Sequence, residues 1–297
     1  MVGGYQRAGS MRLATKKDPF SERIDRSEIR EPKRQYIFFS EGVETEKIYF
    51  ETLSRSDRIK DNINITFLSR WKENVGRSNQ LGVVKDVIEY IRNISATNQE
   101  VIEKLKDLFS KLIEDVSLFN LTKLTKELDS LANTYPSILS KYDNIKAQLF
   151  SIITLTQFDA NYDKIIIILD RDFHSFSEEQ FEEVLRHCDN NQIVLGLTNP
   201  CFELFLLLHL DDLSSFNEDD IKQNQKNGNK TFVEELLKLN LSRHYGMKYS
   251  KNNYDANFFI KKIDIAINNS KSFKSDNLDL KEHIGSSVFR ILEEIIE

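Results

Sequence analysis

At 297 residues, 40% of them hydrophobic and 30% charged, the chain has the make-up of a soluble globular protein, with room for one large domain or two small ones. A formal net charge of −6 argues against broad electrostatic adhesion to nucleic acid and leaves only local basic patches for that purpose, and two cysteines exclude a disulfide framework or a cysteine zinc cage. No apolar run approaches the roughly 20 residues of a membrane helix, and the polar, basic start has no signal-peptide core, so the expected location is cytoplasmic, without membrane contact.

Residues 1–33 mix basic, acidic and small side chains without an apolar period and read as a flexible basic arm. Tyr36-Ile37-Phe38-Phe39 is a short buried-strand candidate. Ser40-Glu41-Gly42 follows, and then a helix over Val43–Leu53 whose stripe is Ile48, Tyr49, Phe50 and Leu53. Gly42 permits a tight strand-to-helix turn with close backbone approach. Ile63–Leu68 alternates as a strand, and Leu81–Ile94 has helical spacing.

Residues 97–158 look like a helical insertion, with leucine, isoleucine and valine recurring at helical spacing on either side of Tyr135-Pro136. The segment reads either as a protruding module or as a helical layer on the core. The core resumes with Ile165–Leu169, five unbroken aliphatic residues expected to form a strand buried on both faces. Ser177 caps an expected helix over Glu178–His187, and Gln192–Leu197 is a further buried strand. Asn199 reads as an N-cap with Pro200 as first helical residue, opening a helix that is apolar nearly all round. Asp211–Lys230 reads as an exposed polar loop, Thr231–Leu239 as a helix, and Tyr245–Lys251 as a basic, aromatic turn; helices at about 254–270 and 284–296 close the chain.

Alternating strands and helices imply an α/β fold, a mostly parallel sheet flanked by helices. In such a sheet ligands bind beyond the carboxyl ends of the strands. Glu41, Asp170 with Asp172, and Asn199 all fall there. Asp170 and Asp172 are either a solvated turn or a pair set to hold a divalent cation. Converging carboxylates without basic partners repel one another, a divalent metal relieves that, and hard oxygen donors favour Mg2+ or Mn2+ over zinc. Glu203 is the only charge between Thr198 and Leu210 and is expected one turn inside its helix; a buried carboxylate needs either a structural partner or a metal.

Glu41-Gly42-Val43-Glu44-Thr45-Glu46, Asp170-Arg171-Asp172 and Asn199-Pro200-Cys201-Phe202-Glu203, each after a buried strand and in this order, resemble the signature blocks of the RloB-like family of the Toprim superfamily, which includes OLD-type nucleases. The resemblance covers roughly residues 33–96 and 160–297. It implies a Toprim-like domain in two parts, 34–96 and 159–297, separated by the insertion 97–158, which departs from the family pattern. It also implies a metal-dependent nuclease that cleaves DNA or RNA, possibly tRNA, in bacterial anti-phage defence beside an ATPase partner. Residue by residue, Glu41 matches the catalytic glutamate, Asp170 and Asp172 the metal-binding pair, and Glu46 the second acid of its block. With Glu203 these make up the expected metal set, holding one or two Mg2+ or Mn2+ ions. Lys251 is suited to stabilising the transition state. His174 is expected to pack near the site rather than act as a base. The alternative is a weakly catalytic or non-catalytic interaction subunit of an ATPase complex. In either case the insertion is expected to contact a partner or a second copy of the chain.

Overall fold

The computed structural model describes residues 33–42, 44–68, 79–96, 154 and 158–297. The arm expected at 1–33 and the insertion expected at 97–158 therefore lie almost wholly outside the described residues.

The aliphatic runs form the strands they suggest. These are β1 (Arg34–Ser40), β2 (Ile63–Phe67), β3 (Lys164–Asp170) and β4 (Ile193–Asn199), all parallel. A two-residue strand, β7 (Gly285–Ser286), adds antiparallel to β4, giving the order β2-β1-β3-β4-β7. Helix α1 (Thr45–Leu53) connects β1 to β2, and α2 (Gln80–Ala96) follows β2. Helix α3 (Glu178–Asn190) connects β3 to β4. Its start is set by Ser177, whose hydroxyl accepts from Gln180 N in a reciprocal capping box.

Period-two alternation divides the strands between two cores. Tyr36, Phe38, Ile166 and Ile168 face one layer with α1 and the C-terminal helices. Ile37, Phe39, Ile165, Ile167 and Leu169 face the other, with α2 and α3. Each such fully buried side chain contributes roughly 1.5–3 kcal/mol, which is why an unbroken aliphatic run suits β3. From β1 the chain turns outward to β2, and from β3 it turns the other way to β4. The gap between the carboxyl ends of β1 and β3 is thus the topological switch point, the crevice where open parallel sheets bind ligands.

The second half departs from expectation in four places. Strand β4 runs through Asn199, so Asn199 is not an N-cap. Its buried Nδ2 donates to the carbonyls of Leu280 and His283, both at 2.9 Å. The peptide to Pro200 is cis, Cys201 is the extended N-cap residue, and α4 spans Phe202–Leu207. Glu203 therefore lies in the first turn rather than a turn inside. The loop expected over 211–230 contains α5 (Glu218–Gln223), which buries Ile221, and a hairpin of β5 (Lys226–Asn227) and β6 (Lys230–Thr231).

Thr231 caps α6 (Phe232–Tyr245), and Gly246 ends it in the left-handed conformation. The expected helix 254–270 is two pieces, α7 (Ala256–Ile260) and α8 (Ile263–Ser270). The last helix, α9 (Val288–Ile295), starts later than expected because β7 precedes it. Gly285 there has φ +147°, and a Cβ would collide with the Lys274 carbonyl.

Candidate active site at the carboxyl edge of the sheet

Glu41 is the first residue beyond β1, and its amide donates to Ile168 O at 3.1 Å, extending the ladder with β3 by one bond. That fixes Glu41 beside Asp170, the last residue of β3, across the switch point. Gly42 then lets the chain turn into α1 so tightly that Glu46, in the first turn, folds its carboxylate back over it. A Cβ on Gly42 would lie 2.7 Å from Glu46 Oε1 and nearer still to Oε2. The backbone amides of Gly42 and Glu46 hydrogen-bond that carboxylate. Glu46 is buried even so.

Asp170 supplies the start of α4. Its Oδ1 accepts from Phe202 N at 2.8 Å, one of the amides a helix leaves without an internal partner. This places Glu203, the next residue, at the same edge of the sheet. Glu203 is 2% exposed, and its Oε1 accepts from Tyr249 OH at 3.2 Å and from Lys251 Nζ at 3.0 Å. The aromatic, basic turn after α6 thus reaches over the acids.

The charges interact strongly. Burial pushes Glu46 up to about 7, the nearby Glu203 charge adds to the rise, and the two amides and Lys251 oppose it. Burial also holds Asp170 well above the usual carboxylate range, reinforced by Glu46, Glu203 and Glu41 and opposed by Lys251. For Lys251, burial works against the ammonium, but Glu203 outweighs it and the net direction is upward. Cys201 lies among the same groups, and burial together with Glu203 and Asp170 raises its thiol far above the ordinary value. It is a neutral core thiol at physiological pH.

The structure therefore brings Glu41, Glu46, Asp170, Glu203 and Lys251 into one electrostatic cluster. Asp172 has another engagement. Its Oδ1 accepts from His174 N and its Oδ2 from Ser175 Oγ, both at 2.9 Å, bracing the loop after β3. His174 is exposed, with Nε2 3.3 Å from Gln223 O, so it packs beside the loop. Between the aspartates, Arg171 is buried, its guanidinium over the rings of Phe173, Phe176 and Phe181 and bonded to Phe176 O. Thr45, Tyr249 and Tyr254, which sequence reasoning did not select, bind the C-terminal turn to the acid-bearing helices. The aromatic character of the turn marked Tyr249; nothing marked Thr45 or Tyr254.

All four acids of the cluster are hard oxygen donors, and burial with their neighbours' charge raises the proton affinity of Glu46 and Asp170, so the donor chemistry fits a divalent cation. Among the described residues, however, no three acidic, histidine or cysteine side chains are placed to hold a metal ion. Lys251 is the cation that the cluster contains.

Fold and site together define an α/β protein that gathers buried carboxylates and a lysine at the switch point of a mostly parallel sheet. A family model described as RloB-like protein matches residues 36–295, and the chain belongs to that family. No curated protein and no solved structure gives a significant match to it. Among the described residues no helix is long and apolar enough to cross a membrane.

Proposed function

We propose that the chain is a Toprim-type nuclease that cleaves phosphodiester bonds of DNA or RNA, tRNA included, with Mg2+ or Mn2+, in phage defence beside an ATPase partner. The observation that carries this reading is the cluster of Glu41, Glu46, Asp170 and Glu203 facing Lys251 at the switch point. Glu46, Asp170 and Glu203, with Glu41 at the rim, are the donors that would hold the cation, which when bound would polarise the phosphate and acidify a water. Without the cation Glu46 keeps its proton up to about pH 7, and binding the cation would displace that proton. The side chain of Lys251 is 53% exposed, so its ammonium can meet a phosphate oxygen while Glu203 holds it in place.

Lys251 Nζ already engages Glu203 at 3.0 Å inside the cluster, which favours one second reading, an interaction subunit of an ATPase complex with little chemistry of its own. The deciding experiment incubates the purified protein, with and without the neighbouring ATPase, with plasmid DNA and total RNA under Mg2+ or Mn2+. Cleavage by the parent that Asp170→Asn abolishes supports the nuclease. Cleavage that persists in Asp170→Asn comes from elsewhere, and absence of cleavage in every mixture leaves the interaction subunit.

A further inference from the structure

The turn that carries Lys251 is fastened to both helices that carry the acids. Thr45 Oγ1, in the first turn of α1, donates to the Lys251 carbonyl at 3.0 Å. Tyr254 OH donates to the Thr45 carbonyl at 2.7 Å. On the α4 side, Tyr249 OH donates to the same Glu203 oxygen that takes the Lys251 ammonium. Between the two tyrosines, Ser250 and Asn253 exchange backbone hydrogen bonds of 3.2 and 3.0 Å, which closes the turn. The tyrosine rings lie 5.6 Å apart, and Thr45, Tyr249 and Tyr254 are all buried.

A surface lysine ordinarily samples many rotamers, and ordering one costs side-chain entropy. Here the backbone beneath the lysine is held by buried hydroxyls, groups that burial penalises unless they are paired. Packing alone does not call for them, since valine at 45 and phenylalanine at 254 would fill the same space. What the hydroxyls add is direction: they set where the Lys251 main chain sits relative to Glu46 on one side and Glu203 on the other.

We propose that Thr45 and Tyr254 are positioning residues which, through the Lys251 backbone, fix its ammonium at the rim of the acidic cluster for contact with a phosphate of the nucleic-acid backbone. This rests on the nuclease reading above. Neither residue touches the substrate; both act through Lys251.

The test uses the full-length protein and the substrate found in the cleavage screen. Thr45→Val and Tyr254→Phe remove the hydroxyls and keep the shapes, and Thr45→Ser keeps the hydroxyl. We expect Thr45→Val to lower kcat about tenfold with little change in KM, and Thr45→Ser to restore it. In the Lys251→Met background, Thr45→Val should cost less than about twofold more, the non-additivity of residues that act as a unit. Amide exchange provides a readout that needs no activity. In Thr45→Val and Tyr254→Phe the amides of 250–254 should exchange about tenfold faster, with those of β3 unchanged. Unchanged exchange in both variants overturns the proposal, as does a full additive loss in the Lys251→Met background. If the parent cuts neither DNA nor RNA, the nuclease reading fails, and exchange alone then decides whether the two hydroxyls hold the turn.

Discussion

Asp170 Oδ1 accepts the amide of Phe202 at 2.8 Å, so the carboxylate at the end of β3 also starts the helix that carries Glu203. One side chain has a charge that its neighbours disfavour and a hydrogen bond that the fold uses. Substitution separates the two. Asp170→Asn keeps an acceptor and removes the charge; it should melt at or above the parent temperature without cation and lose cleavage. Asp170→Ala also loses the cap, worth about 1 kcal/mol, and should melt below Asp170→Asn. Thermal melts of the pair check this, and an alanine variant as stable as the asparagine variant would show that the bond contributes nothing.

Stability without cation should fall as pH rises through the range between the unfolded and folded titrations of Glu46. Below about 4.5 both states hold the proton. Between 4.5 and about 7 the unfolded chain has released it and the native protein has not, so unfolding gains. A rise of this size corresponds to roughly 3 kcal/mol, and Asp170, shifted in the same direction, adds to it. Melting temperature followed from pH 4.5 to 7.5 should decline, and Glu46→Gln should flatten the slope. A parent that becomes more stable over that window contradicts the assignment.

Divalent cation should act on the same groups. Millimolar Mg2+ or Mn2+ should raise the melting temperature of the parent at pH 7.5, and less in Asp170→Asn or Glu203→Gln, because binding to the native state alone stabilises it. Glu41→Gln should lose cleavage while keeping its fold. Identical cation-induced shifts in parent and variants would place the ion elsewhere.

Gly42→Ala should damage the site more than the fold. The added methyl must displace the Glu46 carboxylate, which lies 2.7 Å or less from it. Crowding of this kind costs about 1–3 kcal/mol. The expected result is a modest loss of stability with loss of cleavage, and Gly42→Ala combined with Glu46→Ala should recover part of the stability, as a double-mutant cycle of melts would show. No recovery would mean that the strain lies in the backbone turn.

Arg171 should prove structural. Its guanidinium is buried against three phenylalanine rings, and truncation to alanine leaves a cavity beneath the loop that Asp172 braces. A loss of roughly 3 kcal/mol is expected in chemical denaturation. A loss below about 1 kcal/mol would contradict this packing role.

The parts of the fold that could be read from sequence are those in which burial imposes composition. The aliphatic run of β3 and the aromatic run of β1 must exclude water on both faces, and no turn or exposed helix tolerates such runs. Strand β7 has only two residues, and it is held by a Thr198–Ser286 hydroxyl pair at 2.8 Å rather than by an apolar face, so no periodicity marks it. Asn199 has the composition of an N-cap but serves as a buried donor to two carbonyls more than 80 residues away, a role that only tertiary contact assigns. Within the site, Glu41, Asp170 and Glu203 could be selected because acids after buried strands, or alone in apolar runs, are conspicuous, and Glu46 because its block resembles the family's. Thr45 and Tyr254 could not, since a hydroxyl carries no directional signature until its partner is placed.

The bond from Thr45 to Lys251 spans 206 residues of chain. The acids arrive with the first strand, the third strand and the helix after the fourth, and the lysine that answers them arrives only beyond α6. A ribosome therefore releases the whole constellation late. Truncated products and nascent chains that stop before the C-terminal turn lack the lysine, and with it the last strand of the sheet and the helix α9 that packs on its core. For a protein proposed to cut nucleic acid, that order of assembly means that only copies carried past the C-terminal turn hold the complete cluster.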